Sequence, residues 1–173
     1  MSKKIASGAN KIVIDVTIGK GAFMKTKKDG EMLAEEMIKI GKLANKEVKC
    51  VLTAMDEPLG FSIGNSLEII EAVNFLKGDM PEDLKTVVLE LGAQMIKLAG
   101  KGNDIEKNKE NMLKNIENQK AYNKFLELVK NQGGDTSYIE DTTKFPQAKY
   151  ITAISGRNGL GKSTILALLG NAC

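Results

Sequence analysis

Two short runs rich in β-branched residues, at positions 11–16 and 48–53, enclose a stretch of helical periodicity, and this arrangement constrains the fold most strongly. The first run does not alternate cleanly between apolar and polar residues, which is typical of a strand in a buried parallel sheet. The helix between the runs begins at Thr26, which forms a capping-box-like pair with Asp29. Its apolar stripe recurs at Leu33, Met37, Ile40, Gly41 and Ala44. Strand, helix and strand together predict a right-handed βαβ unit and an α/β fold.

The chain after the second strand has the pattern of a series of helices. Asn65 and Glu68 form another capping-box-like start, and Pro81 suits the first turn of the next helix because its missing N–H costs nothing there. A further helical pattern covers residues 104–131 and is broken near residues 117–118. We therefore expect a central sheet with packed helices.

The composition excludes several classes of function. The 173 residues include no histidine, which excludes Ser-His and Cys-His nucleophile pairs, histidine bases and histidine metal sites. The 25 basic and 22 acidic residues are interleaved and give a net charge of +3, so we expect no nucleic-acid partner. Two cysteines make no disulfide framework, and no stretch approaches the ~20 apolar residues that span a bilayer. We expect a cytoplasmic protein with no membrane partner.

Several unusual strings occur in one order along the chain. They lie at residues 2–8 (SKKIASG), 15–24 (DVTIGKGAFM) and 58–68 (PLGFSIGNSLE), with shorter ones at 77–78, 81–84 and 132–135. This order resembles the pyrimidine-nucleoside phosphorylase family, which includes thymidine phosphorylase. The resemblance covers residues 1–150 and implies a fragment of the large α/β domain of such an enzyme. It also implies a homodimeric transferase that cleaves pyrimidine nucleosides with inorganic phosphate, giving free base and a pentose 1-phosphate.

The resemblance assigns roles to four residues. It places Lys3 against the pyrimidine, where an ammonium group donates to a base carbonyl and stabilises the charge that develops on the departing base. Without the family, Lys3 is simply an exposed lysine near the N-terminus. The resemblance also implies a potassium ion held through Leu59, Ser62 and Glu71, a set of oxygen donors suited to a hard cation. Without the family, Pro-Leu-Gly is a turn and Glu71 a residue on a helix surface.

The carboxyl ends of the predicted strands form a second candidate region. Asp15 lies near the predicted end of the first strand, and a glycine-rich turn follows at residues 19–21. Open α/β sheets build their sites at this edge. A purely structural role in packing is an equally good interpretation of the two glycines.

Two features depart from the family pattern. The family's Lys-His-Ser-Thr-Gly-Gly phosphate loop is absent, as is an upstream arginine and serine pair, so we expect an incomplete and inactive fragment. Residues 151–173 instead carry a G-x-x-x-x-G-K-S match that begins at Gly156 and ends on Gly161, Lys162 and Ser163. This motif resembles the start of a P-loop ATPase, whose loop would bind the phosphates of Mg-ATP.

The tail leaves three hypotheses for the function. Only ten residues follow Ser163, so we interpret residues 151–173 as an unrelated segment joined by a fusion, a frameshift or an assembly junction. The chain is then a phosphorylase fragment, a nucleotide-binding P-loop NTPase module on an α/β scaffold, or a folded but inert α/β fragment. Coverage favours the phosphorylase, because its resemblance spans residues 1–150 and the P-loop-like segment only residues 151–173.

Overall fold

The computed structural model of the protein describes residues 1–149, so Gly161, Lys162 and Ser163 of the predicted phosphate loop lie outside the described residues. Met1–Thr142 form one compact unit. A second unit begins at Thr143, and its described part contains the end of a short 3-10 helix. The boundary expected at residue 150 stays a prediction.

The elements of the described chain alternate between strand and helix at first and are helical afterwards. They are α1 (Ser2–Ala6), β1 (Lys11–Ile18), α2 (Lys27–Leu43), β2 (Glu47–Ala54), α3 (Asn65–Leu76), α4 (Glu82–Leu98), α5 (Ile105–Glu117), α6 (Lys120–Asn131), α7 (Ser137–Glu140) and the 3-10 helix Thr142–Lys144. The strands β1 and β2 pair in parallel, with Lys11 opposite Glu47 and Ile18 opposite Ala54. The predicted strand, helix and parallel strand are thereby confirmed, and so is the α/β fold class.

Helix α2 starts where the sequence predicts. Thr26 is its N-cap, and the Thr26 hydroxyl accepts a hydrogen bond from the Asp29 N–H at 3.2 Å while donating to the Asp29 carboxylate at 2.7 Å. The helix approaches β2 closely at Gly41, where an added Cβ would collide with the Val48 side chain. The small residues of α2 therefore allow the helix to lie close to the sheet.

One hydrophobic core cluster lies between α2 and one face of the sheet. Ile12, Ile14 and Val16 are buried there with Ala34 of α2. The strand β1 is parallel as expected, but its burial alternates, so only one of its faces is fully buried. The cause is uneven cover of the two faces, because the face that carries Val51 and Thr53 of β2 meets α4 across an open groove.

The later helices confirm the predicted break and correct two helix starts, since Pro81, expected in the first turn of α4, is its N-cap. Gln119 adopts a left-handed conformation with φ of 63° between α5 and α6, where the pattern is broken. At the start of α3 the expectation of an Asn65 cap is wrong, because Gly64 is the N-cap and Asn65 is the first helical residue. Glu68 still reaches back, and its carboxylate accepts from the Gly64 N–H at 3.0 Å. No helix within residues 1–149 is long and apolar enough to cross a membrane.

Candidate functional site

Two loops interlock at the carboxyl ends of the strands. We call them the glycine turn (residues 19–24), which follows β1, and the Pro-Leu-Gly loop (residues 55–64), which follows β2. The Gly21 N–H donates to the Met55 carbonyl at 2.8 Å, and the Lys20 N–H donates to the Asp56 carboxylate at 3.0 Å. Because the strands are parallel and adjacent, both loops leave the sheet at the same edge.

The glycine turn requires glycine at the point of contact with the other loop. Gly19 has φ of +138°, and a Cβ at this position would lie 2.8 Å from backbone atoms of both Met55 and Asp56. Contacts under 3 Å with backbone atoms cannot be relieved by a change of rotamer. The packing interpretation of the turn therefore holds for Gly19.

Asp15 lies farther from the edge than predicted. The strand β1 continues to Ile18, so Asp15 is inside the strand rather than at its end. Its carboxylate accepts a hydrogen bond from the Thr53 hydroxyl of β2 at 2.5 Å. This contact ties the two strands together across the face opposite the α2 core.

Three carboxylates from two helices hold the backbone of the Pro-Leu-Gly loop. Asp83 of α4 accepts from the Gly60 N–H at 2.9 Å, and Glu71 of α3 accepts from the Phe61 N–H at 2.8 Å. Glu68 completes the set through its bond to Gly64. The Gly60 and Leu84 amides stabilise the ionised form of Asp83, so its pKa lies below the ordinary carboxyl value. The loop contact of Asp83 was not predicted from the sequence, whereas Glu68 was expected to reach back at the start of α3.

The predicted potassium ligands are brought together. Leu59, Ser62 and Glu71 line one cavity of about 580 Å³, with Gly21 and Asp56 among the other lining residues. Glu71 uses one carboxylate oxygen on Phe61, and its second oxygen lies over Gly60, where an added Cβ would collide with it. Within residues 1–149 no group of three or more His, Cys, Asp or Glu side chains is placed to bind a metal. Any cation held here would depend on backbone carbonyls as well as Glu71.

A second groove lies on the other side of the same loop. It has a volume of about 540 Å³ and is lined by the end of β2, by residues 56–59 and by the first turns of α4, including Asp83 and Glu90. The Glu90 carboxylate bonds to Lys109 at 2.8 Å and accepts from Gln94 at 2.6 Å, and these two partners lower its pKa. Residues 56–59 line both spaces and so form part of the wall between them.

Lys3 is not brought into either cavity. It lies on α1 with an exposed side chain, and it is absent from the residues that line the two spaces. Two exposed aromatic rings do lie on the interlocked loops, since Phe23 and Phe61 are 97% and 88% exposed. No sequence pattern pointed to these rings, because an isolated Phe has no period to distinguish an exposed ring from a buried one.

The comparison with known proteins decides the family. Residues 1–122 match the family described as "Glycosyl transferase family, a/b domain". The chain belongs to this glycosyl transferase family. Among its relatives is the pyrimidine-nucleoside phosphorylase of Bacillus subtilis (strain 168), which is 45% identical over 167 residues, or 96% of this chain and 39% of the relative.

Other relatives agree with this placement. The pyrimidine-nucleoside phosphorylases of Staphylococcus aureus (strain bovine RF122 / ET3-1) and Staphylococcus epidermidis (strain ATCC 12228 / FDA PCI 1200) are each 45% identical over 150 residues, which is 87% of this chain and 35% of each relative. The chain thus spans between 35% and 39% of the length of these relatives. The resemblance expected over residues 1–150 is confirmed as similarity to proteins named pyrimidine-nucleoside phosphorylase.

Proposed function

We propose that this chain is part of a pyrimidine-nucleoside phosphorylase, which transfers the pentose of a pyrimidine nucleoside to inorganic phosphate. The observation that carries the proposal is 45% identity, over 96% of the chain, to a relative with that name. The products are the free base and a pentose 1-phosphate. A cytoplasmic homodimer is part of the same proposal.

Lys3 is the group we propose to contact the pyrimidine. It is an exposed ammonium group on a short helix, and an exposed donor is free to meet a base carbonyl. Negative charge develops on the base as the glycosidic bond breaks, so a cation at this point stabilises the transition state more than the ground state.

A chimera tests the activity and the role of Lys3 together. Residues 1–149 replace the matching segment of the Bacillus subtilis relative, and phosphate-dependent release of uracil and thymine is measured. We expect an active enzyme in which Lys3→Ala lowers kcat/KM by about 10²–10³-fold, as for loss of one transition-state donor.

Lys4→Ala is the matched control, because Lys4 is an exposed neighbour on the same helix. Its activity should stay close to that of the parent chimera. A folded chimera that shows no phosphorolysis would contradict the proposed activity. Equal effects of the two substitutions would contradict the role of Lys3.

We propose further that Leu59, Ser62 and Glu71 hold a potassium ion. The residues fit this ion, because a backbone carbonyl, a serine and one free carboxylate oxygen offer hard oxygen donors around one cavity. The glycine at position 60 leaves open the space beside that oxygen. A bound ion would supply positive charge that draws the Pro-Leu-Gly loop and α3 together.

Thermal unfolding in matched salts tests the ion site. K⁺ should raise the melting temperature more than Na⁺ at equal ionic strength, because a ligand that binds only the folded state stabilises it. Glu71→Gln should remove the difference, whereas Glu57→Gln should keep it, since Glu57 lines the same cavity without being a proposed ligand. Identical melting curves in the two salts would contradict the site.

The alternative function, a nucleotide-binding P-loop module, rests on the sequence motif at Gly161, Lys162 and Ser163. These residues lie outside the described chain, and the motif falls within the 167 residues that match the Bacillus subtilis relative. Binding of Mg-ATP therefore stands as the second candidate, to be tested directly.

A further inference from the structure

Asp83 forms a hydrogen bond with a residue outside its own helix. It is the second residue of α4, and Pro81 is the N-cap of that helix. Its carboxylate accepts a hydrogen bond from the Gly60 N–H, 23 residues earlier, at 2.9 Å. A charged acceptor on a backbone amide makes a stronger hydrogen bond than a neutral one.

The amide that Asp83 holds belongs to the same peptide group as the Leu59 carbonyl. A peptide unit is planar, and no residue in the described part of the chain has a cis bond, so the C=O of Leu59 points away from its partner N–H. Fixing the Gly60 N–H therefore fixes the direction of the Leu59 carbonyl. A carboxylate at the N–H end also polarises the unit and places more negative charge on the carbonyl oxygen.

The next peptide group is held in the same way by a different helix. The Phe61 N–H donates to Glu71 at 2.8 Å, and Gly60 between the two peptides has φ of +71°. Two successive amides of the Pro-Leu-Gly loop are thus each bound by a carboxylate. One carboxylate, Glu71, is a proposed ligand of the ion, and the other, Asp83, lines the groove on the opposite side of the loop.

We infer that Asp83 is a positioning residue for the cation site, acting through the Leu59–Gly60 peptide group. This inference rests on the proposed potassium site and extends it to a residue outside the ligand set. Asp83 orients and polarises the Leu59 carbonyl, while Glu71 orients the following peptide and offers its second oxygen to the ion. Supporting groups of this kind typically change metal affinity by roughly 10–100-fold when they are removed.

A potassium titration of the full chain tests the inference. The melting temperature is followed as KCl replaces choline chloride at constant ionic strength, and the K⁺ concentration that gives half the maximal shift is compared between variants. Asp83→Asn should raise this concentration by roughly 10–100-fold. Asp83→Glu should raise this concentration as well, because the added methylene displaces the carboxylate from the Gly60 amide. The charge at the start of α4 is unchanged in this variant, so the effect reports position rather than charge.

The matched control is Glu82→Gln. Glu82 carries the same charge in the same first turn of α4, and its carboxylate lies 3.5 Å from Lys85 instead of contacting the loop. Its half-maximal K⁺ concentration should stay within about twofold of the parent, since exposed pairs contribute little. A second readout needs no ion: hydrogen exchange of the Gly60 amide, followed by NMR in choline chloride, should be faster in Asp83→Asn and unchanged in Glu82→Gln.

The outcomes separate the inference from the proposed site. Equal K⁺ titrations for Asp83→Asn and Glu82→Gln, with a K⁺ response that Glu71→Gln abolishes, would overturn the role of Asp83 and leave the site intact. Unchanged exchange of the Gly60 amide in Asp83→Asn would also overturn it. Absence of a K⁺-specific shift in the parent chain, or its persistence in Glu71→Gln, would overturn the site and the inference together.

Discussion

Replacing Gly19 by alanine should separate the two interlocked loops. A Cβ at Gly19 would lie 2.8 Å from the Met55 carbonyl carbon and from the Asp56 nitrogen, and 2.9 Å from the Met55 oxygen. These are backbone atoms, so the strain passes to the start of the Pro-Leu-Gly loop. The substitution therefore tests whether the contact between the loops is as close as the structure indicates.

The expected cost has two parts. A non-glycine residue at φ of +138° costs about 1–3 kcal/mol in backbone strain. Carbon atoms make unstrained contacts near 3.5 Å, so the Met55 backbone has to retreat by about 0.7 Å, and the hydrogen bond from Gly21 to Met55 is weakened. That bond contributes about 0.5–1.5 kcal/mol. We expect a total destabilisation of about 2–4 kcal/mol, a large part of the 5–15 kcal/mol typical of a folded domain.

Gly78→Ala is the control that isolates backbone strain. Gly78 also has positive φ, at +106°, but an added Cβ there would meet no atom within 4 Å. Both changes have the same effect on the unfolded chain, so this contribution cancels in the comparison. Urea unfolding followed by circular dichroism gives the free energy of unfolding for each variant. Gly19→Ala should be the less stable by at least about 1 kcal/mol, and equal stabilities would refute the close contact between the loops.

Three other predictions concern pH, activity and the tail. Lys109 and Gln94 lower the pKa of Glu90, so the ionised group stabilises the fold above its unfolded pKa, and this stabilisation is lost as pH falls through the lower folded pKa. Glu90→Gln should therefore reduce the loss of stability with falling pH below pH 4.5, measured by urea unfolding at several pH values. An unchanged pH dependence would contradict the assignment. The chain alone should release no uracil or thymine from nucleosides with phosphate, because it lacks the Lys-His-Ser-Thr-Gly-Gly string; turnover above that of Lys3→Ala would contradict this. Titration with ATP and Mg²⁺ should show no low-micromolar binding, since the motif falls within the 167 residues that match a relative named pyrimidine-nucleoside phosphorylase; binding that disappears in Lys162→Ala would contradict this.

Part of the candidate site could be predicted from the chain. Leu59, Ser62 and Glu71 follow from a resemblance to a family, and the structure places all three around one cavity. The role of Asp83 could not be predicted, because an acidic residue in a helix first turn has the same local signal whether it faces solvent or a distant loop.

Local patterns of residues determine the strands, the helices and the order in which they follow one another. Thr26 caps α2 through a contact three residues away, and the apolar periods of α2 and α4 reflect the geometry of single helices. Such signals depend on near neighbours in the chain, so they are readable before the chain is folded. The candidate ligands were identified from sequence strings shared with a family, because such strings point to positions in a known related fold.

Only the tertiary structure determines which backbone amides donate to the carboxylates of Asp56 and Asp83. Gly60 meets Asp83 across 23 residues and Lys20 meets Asp56 across 36, and neither pair has a spacing that marks it in advance. The parallel pairing of β1 and β2 brings the two loops to one edge, and α4 packs against that sheet with its first turn facing the Pro-Leu-Gly loop. These contacts arise because burial of apolar faces fixes the elements in space, and the polar groups at their ends then bond to whichever partners lie within 3 Å.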